Sequence, residues 1–270
     1  MGLVTTYLRA VESSRDDCII SDPFAEPLTK KYKLKIQESM RGLERKSQLH
    51  FRPEDFIAFR TRYLDEALNH RNSKILQIVI LGAGMDARAY RLESLRGCHV
   101  FEVDQAGAVF SHKLVVFNEL KAPLVADKVD YIVSDLAENG LEEKLVEHGF
   151  NPNLPTFWAM EGLIPYIEQS GVVELLRVVD SLSALGSELW VDIPGQCVSD
   201  TDEWGKRAMK YGEDDPLKGV FSQILWRLEV QVSLGTVGEH FGRPWVPMLS
   251  PKSKHEVPFF CVIGRKPNSA

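Results

Sequence analysis

From residue 75 onward the chain alternates between short apolar runs and longer segments with a helical period. "ILQIVILG", "HVFEVD" (99–104), "VDYIVSD" (129–135), "PTFWAM" (155–160) and "SELWVDI" (187–193) have strand length and apolar centres. Helix-compatible stretches lie between them at 105–121, 139–148 and 171–186. The last, "GVVELLRVVDSLSALG", has apolar residues at 172, 175, 176, 179, 182 and 185, which share one helical face, and Gly186 stands as its C-terminal stop. Strands alternating with helices predict right-handed βαβ units and a parallel sheet covered on both faces.

The flanks read differently. Residues 1–70 are mostly helical, broken by "SDPFAEP" at 21–27. "EDFIAFRTRYLDEAL" (54–68) is apolar at 56, 57, 59, 63, 64, 67 and 68, an amphipathic helix period. Near the end, "LEVQVSL" (228–234) and "PFFCVIGR" (258–265) read as two strands of a closing hairpin with an irregular, Pro-rich connection. The 270 residues fit one domain (1–270): a helical cap at 1–72, a core at 73–193, a variable cover at 194–227 and closing strands at 228–270.

Composition narrows the partners. Apolar residues at 44% and charged residues at 26% suit an ordinary globular core. A net charge of -6 argues against nucleic acid, whose binders usually present a basic face. Cys18, Cys98, Cys197 and Cys261 are dispersed, with no Cys-x-x-Cys pair, and the seven histidines form no ligand motif. No disulfide framework or metal site is expected, and a reducing, cytoplasmic setting fits. The first 17 residues show no long apolar core after a basic start, so no secretion signal is expected. No apolar run approaches bilayer-spanning length, so no membrane partner is expected.

Candidate chemistry gathers at the C-terminal ends of the strands, where open α/β sheets bind ligands. The first strand runs into Gly82-Ala83-Gly84, where a missing Cβ lets a ligand approach the main chain and the next helix would offer free N–H groups. Asp104 follows 22 residues after Gly82 at the tip of the second strand, placed to accept hydrogen bonds from both hydroxyls of a ribose. Glu102 alternates with it by period two and shares its face. "GAGMDA" satisfies G-x-G-x-x-A, so a nicotinamide or flavin dinucleotide and adenosylmethionine both remain open. Asp135 and Leu136, at the third strand's tip, suit an adenine, whose amino group donates and whose face wants an apolar cover; Asp135 also suits a helix N-cap. Glu161, after the fourth strand, is either an exposed loop acid or a carboxylate facing a sulfonium.

"RAVESSRDDCIISDPFAEPL", "AFRTRYLDEAL", "QIVILGAGMDARAYRL", "FEVDQ", "VSDL" and "WAMEGLIPYI", in this order over residues 9 to about 193, resemble the leucine carboxyl methyltransferase family. The likeness is greatest to its bacterial branch of adenosylmethionine-dependent methyltransferases. The resemblance implies a Rossmann-like class I methyltransferase sheet, mostly parallel with its last strand antiparallel, and added N-terminal helices. It implies that Arg60 holds the methionine carboxylate of S-adenosyl-L-methionine, with Arg9 a second candidate; a bidentate guanidinium suits that task. A surface ion pair is the alternative reading of Arg60. Gly82 and Gly84 would line the methionine part, Asp104 would take the ribose, and Asp135 with Leu136 the adenine; Ala83 and Glu102 count as cofactor-binding candidates beside them. Glu161 would lie beside the cofactor and Tyr166 on the substrate side, where core packing is the other reading. The branch usually carries a longer insertion than the 34 or so residues between the fifth and sixth strands here.

The expectation is an O-methyltransferase that uses adenosylmethionine and acts on a small molecule bearing a carboxylate or hydroxyl. One rival is a non-catalytic cofactor-binding protein, suggested by the short cover. The other, a dinucleotide-dependent oxidoreductase, would carry a Tyr-x-x-x-Lys pair, and "YIEQS" (166–170) has no lysine in place.

Overall fold

The computed structural model describes residues 2–46, 52–199, 209–250 and 252–267. Its organising element is β1 (Gln77–Leu81), five residues that are all buried. The strand carries two cores by simple alternation. Val79 and Leu81 point to one face and pack with Trp158, Met160, Leu189 and Val191 of neighbouring strands. Ile78 and Ile80 point to the other and pack with Phe157, Ala159 and Trp190. A strand buried on both faces must be apolar at every position, which is why "QIVIL" reads as a continuous run.

Beside β1 lie β2 (His99–Asp104), β3 (Lys128–Val133), β4 (Thr156–Met160), β5 (Glu188–Pro194), β6 (Arg227–Ser233) and β9 (Phe259–Arg265). Their order is β3-β2-β1-β4-β5-β9-β6. The first five pair in parallel, and β9 inserts between β5 and β6, antiparallel to both. The connection from β6 to β9 is not the plain irregular loop that composition suggests. It carries a small antiparallel pair, β7 (Gly238–His240) and β8 (Arg243–Trp245).

Helices cover the two faces. On one face, α8 (Gln169–Ser181) buries Val172, Leu175, Leu176 and Val179 against Val79 and Leu81. It ends earlier than the apolar pattern predicts. Ser183 takes over, accepting from the Trp158 indole at 2.8 Å and donating to the Val179 carbonyl, and Gly186 instead serves the turn into β5 at φ 82°. On the other face, α4 (Pro53–His70) starts with proline in its first turn, followed by Glu54 and Asp55, and ends with His70. Proline there forfeits no hydrogen bond, and the charges complement the helix dipole. Its Phe59, Leu64 and Leu68 fill the core, while Arg60 and Asp65 are also buried. On the same face, α6 (Gly107–Glu119) seats Phe110.

The N-terminal cap begins with α1 (Gly2–Ser13), but its break falls at 14–24, ahead of the predicted 21–27. A short α2 (Ala25–Thr29) already occupies the end of that stretch, and α3 (Lys33–Lys46) follows.

The glycine turn after β1 departs from expectation most. Gly82 and Gly84 take φ of 71° and 50°, which disfavours any side chain. The N–H groups of Gly82 and Ala83 both bond the Val103 carbonyl, at 2.9 and 3.0 Å. No long helix follows. The next helix, α5 (Arg88–Arg91), has four residues, and Asp86 already accepts the Arg88 N–H at 2.7 Å. Free N–H groups at a helix start therefore do not serve the glycine turn.

Candidate active site

A cavity of about 1050 Å³ opens over the C-terminal ends of β1, β2, β3 and β4, roofed by α1. Arg9, Arg60, Gly82, Ala83, Gly84, Asp104, Asp135, Leu136, Glu161 and Tyr166 all line it. A second hollow of about 580 Å³ lies against β5, β9 and β6 and contains none of these residues.

Asp104 locks the glycine turn to β2. Its Oδ2 accepts the Gly84 N–H and its Oδ1 the Ala106 N–H, each at 2.9 Å. A carboxylate offers about four acceptor positions, so two remain for a diol. Asp135 does not cap a helix. Its Oδ1 accepts the Ala137 N–H at 2.9 Å within a turn, and α7 (Leu141–Glu147) starts six residues later.

Glu102 is the one sequence-selected residue that the cavity excludes. It is fully buried, ion-paired with the equally buried Lys113 of α6. Period two correctly gives it the same strand face as Asp104. However, α6 covers that face at position 102 and leaves it open only at the strand's tip. Burial pushes the Glu102 carboxyl up to about 7, against the opposing pull of Lys113. The same ammonium donates to the Asp86 carbonyl at 2.7 Å, so the pair braces the loop after the glycines.

The methionine end of the expected cofactor meets a charge network. Arg60 is 9% exposed, and its Nε donates to Glu161 at 3.2 Å. The ion pair is present, but it is buried at the cavity rather than on a helix surface. A side chain at Gly162 would put its Cβ 3.1 Å from Nη1 of Arg60, so glycine there (φ 64°) leaves the outer edge of the guanidinium free. Glu161 also accepts from Arg88 at 2.9 Å. Arg88 in turn bonds Asp65 and Asp86, and Arg91 bonds Asp65 through both outer nitrogens. Burial raises the Glu161 carboxyl, but Arg88 and then Arg60 outweigh it and hold Glu161 well below the usual carboxylate range. Arg9 lines the cavity with its guanidinium already engaged by Asp22 at 2.9 Å and the Met85 carbonyl at 2.9 Å. Its visible work is to tie α1 to the turn.

Tyr166 sits on a single 3-10 turn (Ile164–Tyr166). Burial pushes its phenol above 10, so it is a protonated donor at neutral pH. The cover segment returns at Lys210, whose N–H bonds the Pro165 carbonyl at 2.6 Å, and Lys210 lines the mouth. The preceding part of that segment, 200–208, lies outside the described residues.

Sequence reasoning missed Arg88, Asp65, Asp86, Arg91, Lys113 and Asp192. A signal existed for the last: Asp192 interrupts the apolar run "LWVDIP" near a strand end, as Glu161 does one strand over. Among the described residues no group of three or more His, Cys, Asp and Glu could hold a metal, and no helix is long and apolar enough to cross a membrane.

A sheet of order 3-2-1-4-5 completed by an antiparallel strand inserted before the edge is the class I methyltransferase fold. A methyltransferase, provisionally so named, from Thermobifida fusca superposes with a TM-score of 0.57 at 15% identity, over 99% of this chain and 94% of that one. A DUF574-family protein of Streptomyces avermitilis gives 0.59 at 12%, over 97% of each. The leucine carboxyl methyltransferase profile matches residues 2–180. A protein of Saccharopolyspora erythraea is 33% identical over 262 residues, 90% of this chain and 88% of its own. One from Mycolicibacterium vanbaalenii is 36% identical over 215 residues, 77% and 70% of the two chains. Both carry the provisional name of S-adenosyl-L-methionine-dependent methyltransferase. The chain belongs to the leucine carboxyl methyltransferase family.

Proposed function

We propose that the chain transfers a methyl group from S-adenosyl-L-methionine to the oxygen of a small carboxylic acid. Family membership carries the class: this is an adenosylmethionine-dependent methyltransferase. The residues present fit the cofactor. Arg60 would take the carboxylate of its methionine part, Asp104 the ribose hydroxyls, and Asp135 with Leu136 the adenine. Adenosylmethionine supplies an electrophilic methyl on a sulfonium.

One observation favours a carboxylate acceptor. The cavity lining includes no histidine or cysteine among the described residues, Asp86 is paired with Arg88 and Lys210 with Glu168, and Asp104 and Asp135 are the residues assigned to the cofactor. Glu161 is a weakened base, and Tyr166 holds its proton. A hydroxyl acceptor needs a base to remove its proton, whereas a carboxylate arrives ionised. What remains for the protein is to align donor and acceptor and exclude water. Leu163 and Ile167, which line the same wall, suit that exclusion.

The test is to incubate the purified chain with adenosylmethionine and matched panels of carboxylic acids and phenols, reading products by mass. Methyl esters, cleaved by mild alkali, are the expected products. Methyl ethers alone would overturn the carboxylate reading.

A further inference from the structure

Asp192, on β5, is 1% exposed and is not among the residues lining the cavity. It nevertheless touches both sides of the charge network. Its Oδ1 accepts the Gly162 N–H at 2.7 Å, fixing the turn that carries Glu161. Its Oδ2 lies 3.5 Å from Nε of Arg60 and accepts no hydrogen bond. A buried carboxylate oxygen left in this state is costly and calls for an explanation. Arg60 is thus held through its Nε by two carboxylates, Glu161 at the cavity wall and Asp192 off the lining, while its outer nitrogens lie beside the space that Gly162 leaves open.

We infer that Asp192 is a positioning residue: it orients Arg60 and the Glu161–Gly162 turn for the amino-acid end of the cofactor, and only its ionised form does so fully. The inference rests on the proposed cofactor site. The groups facing Asp192 are Arg60 from α4, Glu161 and Tyr166 from the segment after β4, and Cys261 from β9. Burial pushes the Asp192 carboxyl up to about 6; Arg60 opposes the rise and Glu161 adds to it. The charge meets the guanidinium at Nε and lies off the cavity lining. It therefore orients Arg60 more than it repels an incoming carboxylate.

Two probes separate this role from general damage. Adenosylhomocysteine carries the amino-acid group; 5′-methylthioadenosine shares the adenosine and thioether but lacks it. Calorimetric titration of both, on wild type and Asp192→Asn, reads the ratio of their affinities. Asparagine keeps an acceptor for Gly162 and removes the charge. The expected result is about tenfold weaker adenosylhomocysteine binding by the variant, with methylthioadenosine within twofold of wild type. In the wild type the ratio should rise as pH increases from 5 to 7, with a midpoint near 6. The amino-acid ends of the probe do not titrate appreciably in that window. This second measurement needs no variant to fold. An affinity ratio unchanged by substitution and flat with pH, or equal loss of both probes, would overturn the role of Asp192. Failure of wild type to bind either probe would instead overturn the cofactor site on which it rests.

Discussion

Asp104 and Lys113 contrast a carboxylate that still faces the cavity with an ammonium wholly absorbed by the scaffold. Asp104 spends half of its acceptor capacity on the Gly84 and Ala106 N–H groups and keeps the rest for the cavity. Asp104→Ala should weaken adenosylhomocysteine binding about a hundredfold, because two hydrogen bonds to a charged acceptor are worth about 1.5 kcal/mol or more each. Calorimetry checks this; a loss below threefold would remove Asp104 from the ribose site. Lys113 is different, since it meets no cavity. Lys113→Met strands Glu102 in a dry interior, at a cost of about 3–5 kcal/mol. Burial pushes the Glu102 carboxyl up to about 7 even against the pull of Lys113, and the variant removes that pull, so the penalty should be larger at pH 8 than at pH 5.5, where the carboxyl can neutralise itself. Urea unfolding at the two pH values reads the difference directly.

Elements were legible where a single period governed them and illegible where partners were distant. The core strands could be located because burial on both faces demands unbroken apolar runs, as in "QIVIL" and "TFWAM". The α8 face could be read for the same reason, although its end could not, because Ser183 and the Trp158 indole decide where it stops. The insertion of β9 between β5 and β6 is a long-range pairing with no local trace. Ten of the eleven selected site residues line the cavity: Gly82, Ala83, Gly84, Asp104, Asp135, Leu136 and Glu161 were legible because strand tips and glycine turns announce themselves, whereas Arg9, Arg60 and Tyr166 came from the family resemblance alone. Glu102 does not, since only packing reveals that α6 covers it. The Arg243 latch is another long-range feature. From the tip of the β7–β8 pair this buried arginine bonds Glu12 of α1 at 2.9 Å, Asp55 of α4 at 2.9 Å and the Asp17 carbonyl at 2.8 Å. Arg243→Leu leaves Glu12 to Arg15 at 3.7 Å and the Ile19 N–H at 2.8 Å, and Asp55 to Arg15 at 3.2 Å and Arg52 at 3.6 Å. The loss should be near the low end of the range for a broken buried pair, about 3 kcal/mol. That corresponds to a fall of about 6–12 °C in Tm for a chain of this size, checked by a thermal melt. Because α1 roofs the cavity, adenosylhomocysteine binding should weaken as well.

At the scale of the whole molecule, the buried charges make stability depend on pH in two opposing ways. Arg88 and Arg60 hold Glu161 below its ordinary 4.5, and Arg91 and Arg88 hold Asp65 below 3.8. Such groups stabilise the fold fully above their unfolded values and lose that contribution as pH falls through their folded ones. Asp192 and Glu102 run the other way, pushed up to about 6 and about 7 by burial. Between about pH 4 and 7 the folded chain holds protons at these sites that the unfolded chain has released, so their contribution declines as pH rises through that window. For Asp192 alone the rise from 3.8 to about 6 amounts to roughly 3 kcal/mol. The two trends cross on the acid side of neutrality. On these groups stability should therefore be greatest near pH 4, between the unfolded values, and fall toward both pH 3 and pH 8. A series of urea midpoints across that range measures the curve, and Asp192→Asn, which cannot ionise, should flatten its alkaline limb while leaving the acid limb in place. A maximum above pH 7 in the wild type would show that ion pairing, rather than burial, governs Asp192 and Glu102. The coupling of cofactor affinity to pH would then have lost its physical basis as well.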